Sequence, residues 1–289
     1  MLGGFGAKPQ DKSLGALRLA RTGANKFTGA QTLPGNAANP LEAVPKQQAE
    51  SLVATVAGRN RIINGVFSVN QRAFTGGSLA AGAYGHDRWK AGAGGTTYSV
   101  TGEVATITNG TLLQIIEGLN VAEGGTYTLS WIGTAQARID GGDYALGPIT
   151  VTGKTAGANT TIEFGVGTVG RVQYESGTVS STFERRLLTM EHLLCYRYAV
   201  AFRYTTTSTA GVGYYAEASG QLGGFFYTER FPVDMRSTPS LSIQTGAWAT
   251  TPPPAPDISN QRLRWSSSST GFYLQGTPGA VALLLSAEL

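Results

Sequence analysis

Gly125-Thr126-Tyr127-Thr128-Leu129-Ser130-Trp131-Ile132 carries the decision on the fold. Tyr127, Leu129 and Trp131 alternate with Thr126, Thr128 and Ser130, the period of a strand with one face on a core and the other towards water. Aromatic and β-branched side chains fill the stretch, and these suit a pleated surface. A helix would need its apolar residues three and four apart. The stretch is a strand.

Similar text recurs on both sides. Residues 100–107 (Val-Thr-Gly-Glu-Val-Ala-Thr-Ile), 149–152 and 161–164 read as further strands between glycine-rich turns. Several short strands at regular spacing predict a β-sandwich or jelly roll over residues 59–186. Residues 187–194 read as a helical turn or two. Tyr198, Val200, Phe202 and Tyr204 then alternate with smaller or polar residues and open a second β region, 187–289, which reads as a smaller β-sandwich. Its strands are expected near 212–218, 224–231, 241–243, 261–265, 271–274 and 280–286. The run Pro252-Pro253-Pro254-Ala255-Pro256 belongs on an exposed connection, because proline donates nothing to a sheet ladder. No repeat of roughly 20–50 residues is evident, which argues against a solenoid or propeller.

Residues 1–58 read differently. Pro9, Pro34, Pro40 and Pro45 with intervening Gly and Asn predict an extended arm. Pro45 suits a first helical turn, and Ala49, Leu52, Val53 and Val56 follow at helical spacing before Gly58 ends the run. A helix this short is marginal in water alone. The stripe of Ala49, Leu52, Val53 and Val56 is therefore expected at a domain or subunit interface. The predicted fold class is all-β: an extended arm with a short helix, then two sandwich domains.

Composition narrows the function. The 289 residues include 40 glycines and are 14% charged, against a usual ~25%. With 41% apolar residues and a net charge of +4, the chain is expected to fold rather than stay disordered. The densest basic cluster is Arg185-Arg186, which gives no basic stripe for nucleic acid. No run of roughly eighteen apolar residues suggests membrane insertion, and the opening Met1-Leu2-Gly3-Gly4-Phe5-Gly6 does not read as a signal peptide. Synthesis and solubility in a cytoplasm are expected.

Motifs for chemistry are sparse. Cys195 is the lone cysteine, flanked by leucines and a tyrosine, and reads as a small buried hydrophobe. A Cys–His nucleophile would have to use His192 or His86 as its base. Gly165-Val166-Gly167-Thr168-Val169-Gly170 matches GxGxxG, yet Arg171-Val172-Gln173-Tyr174-Glu175 continues as strand where a dinucleotide site needs a helix. Asp140 and Asp143 flank a Gly-Gly turn, and nothing pairs Asp87, Glu103 or Glu163 as glycosidase acids. No zinc-ligand spacing occurs, though a calcium in a sandwich loop stays open. No cofactor is expected. Trp89, Trp131, Trp248 and Trp265 with Tyr214 and Tyr215 could stack on sugars. Trp131 reads as core. The glycan-binding candidates are Tyr214, Tyr215, Trp248 and Trp265.

Four stretches resemble bacteriophage tail-fibre and tail-appendage proteins. Asn60-Arg61-Ile62-Ile63-Asn64-Gly65-Val66-Phe67-Ser68-Val69-Asn70-Gln71-Arg72, with Asp87-Arg88-Trp89, is similar to the N-x-I-I-N-G-x-F-x-x-x-Q-R … D-R-W opening of a carbohydrate-binding-like jelly roll. Gln173-Tyr174-Glu175 and Ser181-Thr182-Phe183-Glu184-Arg185-Arg186 resemble its Q-x-E-x-G … T-P-F-E-R-R ending, with Ser181 where proline is usual. Glu191 to Tyr198 resembles E-L-x-x-C-Q-R-Y-Y, departing at Tyr196 and Ala199. Phe231-Pro232-Val233-Asp234-Met235-Arg236-Ser237-Thr238-Pro239 resembles the F-P-V-x-M-R-x-T-P turn of a C-terminal module that often closes on S-A-E-L, as in Ser286 to Leu289. At these positions Arg88 is expected to stack on Trp89 and cap a carbonyl, and Phe183 to sit under the sandwich.

The resemblance implies a non-enzymatic, homotrimeric virion protein. It would be made in the host bacterial cytoplasm, joined to other tail or capsid proteins through its arm and directed at host-surface polysaccharide. The alternatives are a capsid decoration or head-fibre protein without receptor contact, and a polysaccharide depolymerase.

Overall fold

The computed structural model describes residues 58–203, 213–214, 225–244, 247–248, 256–267, 272–275 and 280–289, all within one contact unit, Val56–Leu289. The expected arm and its helix lie outside the described residues. What is described is all-β, antiparallel throughout, with one α-helix among the described residues.

The first region is a sheet of eight strands: β1 (Gly77–Leu79), β2 (Lys90–Thr101), β3 (Val104–Ile116), β4 (Gly125–Ile132), β5 (Ala137–Ile139), β6 (Ile149–Lys154), β7 (Thr160–Phe164) and β8 (Gly167–Ser176). β3 is its spine. Its first residues pair with β8 and its last with β7, so the sheet forks there, one branch running β8-β4-β6 and the other β7-β5. The branches fold over one core. Trp131 of β4 meets Phe164 of β7 edge-on with ring centroids 5.3 Å apart, and Tyr127 stacks on Tyr174 of β8 at 4.9 Å.

The deciding stretch is β4 itself. Tyr127 and Leu129 are fully buried and Trp131 packs against the same core. Thr128 is buried too, on the opposite face, bonded to Thr150 and to the Gly177 carbonyl. Residues 100–107 are not one strand. Thr101 ends β2, Val104 begins β3, and Gly102 makes the turn between them at φ +61°. Alternation continued through the turn and hid it.

Residues 165–170 run into β8, so the GxGxxG match opens a strand and lacks the helix a dinucleotide site requires. Asp140 is a turn residue, with φ +51°, whose carboxylate accepts the Thr161 amide and pairs with Lys154.

Helix α1 (Leu188–Tyr196) follows, overlapping the predicted turn. It has no side-chain cap. Glu191 in its first turn suits the positive end of the helix dipole. Beyond it lie β9 (Ala199–Arg203), β10 (Gly213–Tyr214), β11 (Phe225–Arg230), β12 (Ser240–Ile243), β13 (Ala247–Trp248), β14 (Asp257–Ile258), β15 (Arg262–Ser267), β16 (Phe272–Gln275) and β17 (Val281–Ser286). They form three three-stranded sheets, β10-β16-β13, β11-β15-β14 and β12-β17-β9. Val200, Met235, Leu263, Leu283 and Leu285 share a second hydrophobic core.

Candidate functional site

The aromatic candidates fall on two sheets. Tyr214 pairs with Phe272 and Trp248 with Leu274, so they flank β16 at register positions two residues apart. Trp265 lies opposite Tyr227 in the β11-β15-β14 sheet. Tyr215 and residues 251–255 lie outside the described residues.

A second assembly was not legible in advance: the joint between the two β regions. It begins with two asparagines. Asn64, at φ +59°, donates from its carboxamide to the carbonyls of Val69 and Asp87 and accepts the Val69 amide, which fixes the loop. Its own carbonyl receives the indole N–H of Trp89 at 2.9 Å. Asn60 accepts the amides of Ile62 and Tyr174 and donates to the Val172 carbonyl. These bonds satisfy backbone groups that no ladder reaches, as burial demands.

Chain segments far apart in sequence close on this frame. Glu184 accepts the Asn60 amide, Gln173 accepts the Glu184 amide, and Arg186 binds the carbonyls of Asn60 and Ile62. Glu191 of α1 accepts the Asn64 amide at 2.8 Å and pairs with Arg186. Gln71 donates to the Ala199 carbonyl and accepts the Ala201 amide, tying the first region to β9. Ile63, Val69, Cys195 and Tyr198 make the apolar seam beside it.

At the centre sits a buried charge cluster. Arg72 binds Asp87 at 3.3 Å and Glu288 at 3.2 Å, and Arg88 pairs with Glu288 and donates to the Ile115 carbonyl. The four side chains are neutral as a set, and none is more than 10% exposed. Burial pushes the Asp87 carboxyl up, against the opposing pull of Arg72 and of its bonds from Gln71. Burial also works against the charged form of Glu117. Hydrogen bonds from Arg197 and Tyr198 outweigh it and hold that carboxyl below its ordinary value. The Tyr198 hydroxyl is pushed up to about 12, chiefly by burial.

The expected stacking of Arg88 on Trp89 does not occur; Trp89 turns into the core and Arg88 lies over Tyr198 instead. Arg88 does cap a carbonyl, that of Ile115. Phe183 is half-buried and stands outside the core cluster. Sequence reasoning missed Asn60, Asn64, Gln71 and Glu288 as joint residues. The one local signal was Asn64-Gly65, a turn dipeptide.

The chemistry of the joint is to hold charge in place. Asp87 and Glu288 come together through Arg72, but each is buried and bound to a guanidinium. The Cys195 thiol is buried and burial raises its pKa well above the ordinary range, which disfavours the thiolate that a nucleophile needs. Glu103 is spent on Arg171 and Arg185, and Glu163 on Arg138. Among the described residues no group of three or more His, Cys, Asp or Glu could hold a metal ion. A cleft of about 490 Å³ opens beside the joint, bordered by Arg72, Phe74, Tyr84, Gln244, Leu284 and Ser286. No described helix is long and apolar enough to cross a membrane.

No known protein family, characterised protein or solved structure matches the chain.

Proposed function

We propose that this chain is a structural, non-enzymatic subunit of a phage virion appendage of the tail-fibre type, attaching to host-surface glycans. Residues 59–186 serve as a carbohydrate-binding-like jelly roll and 187–289 as a β-sandwich tip. Residues 1–58 are the attachment arm to other virion proteins, in a homotrimer. One observation carries the reading. The four stretches that resemble appendage proteins, distant in sequence, meet at one joint through Asn60, Arg88, Glu184, Glu191, Arg236 and Glu288. A coupling of the two β regions at this joint would suit the display of a binding surface on a particle, and it supports the reading.

Recognition falls to Tyr214, Tyr215, Trp248 and Trp265, with loops varying over a rigid scaffold. Single sugar contacts near millimolar, or ~4 kcal/mol, gain avidity from many copies on a particle. The test is attachment of purified protein to host cells. Trp248→Ala with Trp265→Ala is expected to abolish attachment while leaving the far-UV spectrum and oligomer intact. Full attachment by a well-folded double variant removes these residues from the site. Failure of the wild type to bind cells, with the protein located on the particle head by electron microscopy, favours the decoration reading. Release of reducing ends from capsular polysaccharide would instead identify a depolymerase.

A further inference from the structure

We infer that residues 286–289 form a strap that makes the two β regions open and close as one cooperative body. This segment leaves β17, the central strand of its sheet, whose Leu283 and Leu285 belong to the second core. Its backbone is held within its own region: the Ala287 amide donates to the Tyr198 carbonyl at 2.8 Å, and Arg236 donates to the carbonyls of Ala287 and Glu288 at 2.9 and 3.2 Å. Among the described residues, the polar contacts of the Glu288 side chain and the Leu289 carbonyl go to the first region. Glu288 lies between Arg72 and Arg88, and the Leu289 carbonyl accepts from Lys90 at 2.7 Å and from the Tyr84 hydroxyl.

The charge balance makes this contact more than a local clasp. Asp87 and Glu288 together neutralise Arg72 and Arg88. With the strap undocked, Arg88 would lose its carboxylate partner and Arg72 would keep Asp87 alone. An uncompensated buried charge is strongly unfavourable. The first region therefore cannot keep its native interior at that point without the second, and an opening of either is transmitted to the other. The same coupling would carry load from a tip to its base, whatever the tip binds.

Native-state hydrogen exchange on the full chain tests this. In the wild type, the slowest amides of β3 and β17 are expected to exchange at rates within a few-fold of one another, through one shared opening. Glu288→Gln is expected to speed exchange in both regions and to separate their rates, with the amides of β9, β12 and β17 exchanging at least tenfold faster than those of β3. Should that variant fail to fold, Tyr84→Phe combined with Lys90→Met removes the bonds to Leu289 together with the Lys90 charge near Glu288, and is expected to produce the same divergence. Well-separated β3 and β17 rates in the wild type would overturn the inference, as would unchanged relative rates in whichever folded variant is measured.

Discussion

The guanidinium of Arg88 lies over the ring of Tyr198, 3.6 Å from its centroid, and joins the first β region to the start of the second. Tyr198 passes the contact on: its hydroxyl donates to Glu117 at 2.8 Å, and Glu117 also receives Arg197. A desolvated cation over an aromatic face contributes about 2 kcal/mol. The same guanidinium reaches Glu288 and the Ile115 carbonyl, so one side chain ties together three chain segments.

Arg88→Ala is accordingly expected to destabilise the protein by about 3–5 kcal/mol, because it leaves the buried Asp87 and Glu288 carboxylates to share Arg72 alone. Arg171→Ala is the control. Arg171 pairs with Glu103 at 3.0 Å but is 49% exposed, and such a pair is worth about 1 kcal/mol at most. Urea unfolding of both variants gives the comparison. Equal losses would mean that burial of the cluster contributes little.

His86 sets an acid limit on stability. It sits among Phe67, Phe74 and Tyr98, whose hydroxyl accepts the His86 amide and lies 3.1 Å from Nδ1. Burial lowers its pKa from 6.5 to about 4. Between those values the unfolded chain takes up a proton that the folded chain refuses, so stability falls as pH drops from about 6.5 and the loss levels off below about 4. The full loss is about 3 kcal/mol. His86→Gln cannot take up this proton, so its stability curve should run flatter than that of the wild type across this window. Parallel curves for the two proteins would show that His86 is not the group responsible.

Assembly can be tested through the arm. Leu52→Asp puts a charge into the Ala49, Leu52, Val53 and Val56 stripe proposed as an interface, and an unpaired charge buried in such an interface would be costly. If the chain is the proposed trimer, sedimentation should then show its loss, with the β regions still folded. A wild type that is monomeric both in solution and on the particle would end this idea.

How much of this was readable beforehand follows from the range of the interactions. The strand β4 was plain, because Tyr127, Leu129 and Trp131 announce a local period and the core answered it. The joint was not. Glu288 meets Arg88 and Arg72 across some two hundred residues, and Gln71 meets Ala199 across more than a hundred. No local pattern records such partners. The resemblance singled out many of these positions without saying what they touch. In the aromatic set, register brings Tyr214 and Trp248 to one sheet and leaves Trp265 in another, a pairing set by β16 that spacing alone could not give.

The hairpin hidden in residues 100–107 gives the last prediction, a contrast between two glycines. Gly102 turns the chain from β2 to β3 at φ +61°, and a Cβ there would meet nothing within 4 Å. Its need is conformational alone, so Gly102→Asn should be nearly neutral and Gly102→Ala should cost about 1 kcal/mol. Gly110 also has positive φ, at +68°, but it stands inside β3 opposite Thr96, where the β2–β3 register shifts. A Cβ at Gly110 would sit 2.1 Å from the Gly95 carbonyl oxygen, a backbone atom that cannot swing aside. Gly110→Ala should therefore cost more than about 2 kcal/mol, since it adds the displacement of β2 to the strain of the dihedral. Asparagine cannot rescue it, because the obstruction is at Cβ and every side chain shares that atom. Thermal unfolding of Gly102→Asn, Gly102→Ala, Gly110→Ala and Gly110→Asn decides the matter: if Gly110→Asn is as stable as Gly102→Asn, the close approach of β2 and β3 at Gly95 is not what holds glycine there.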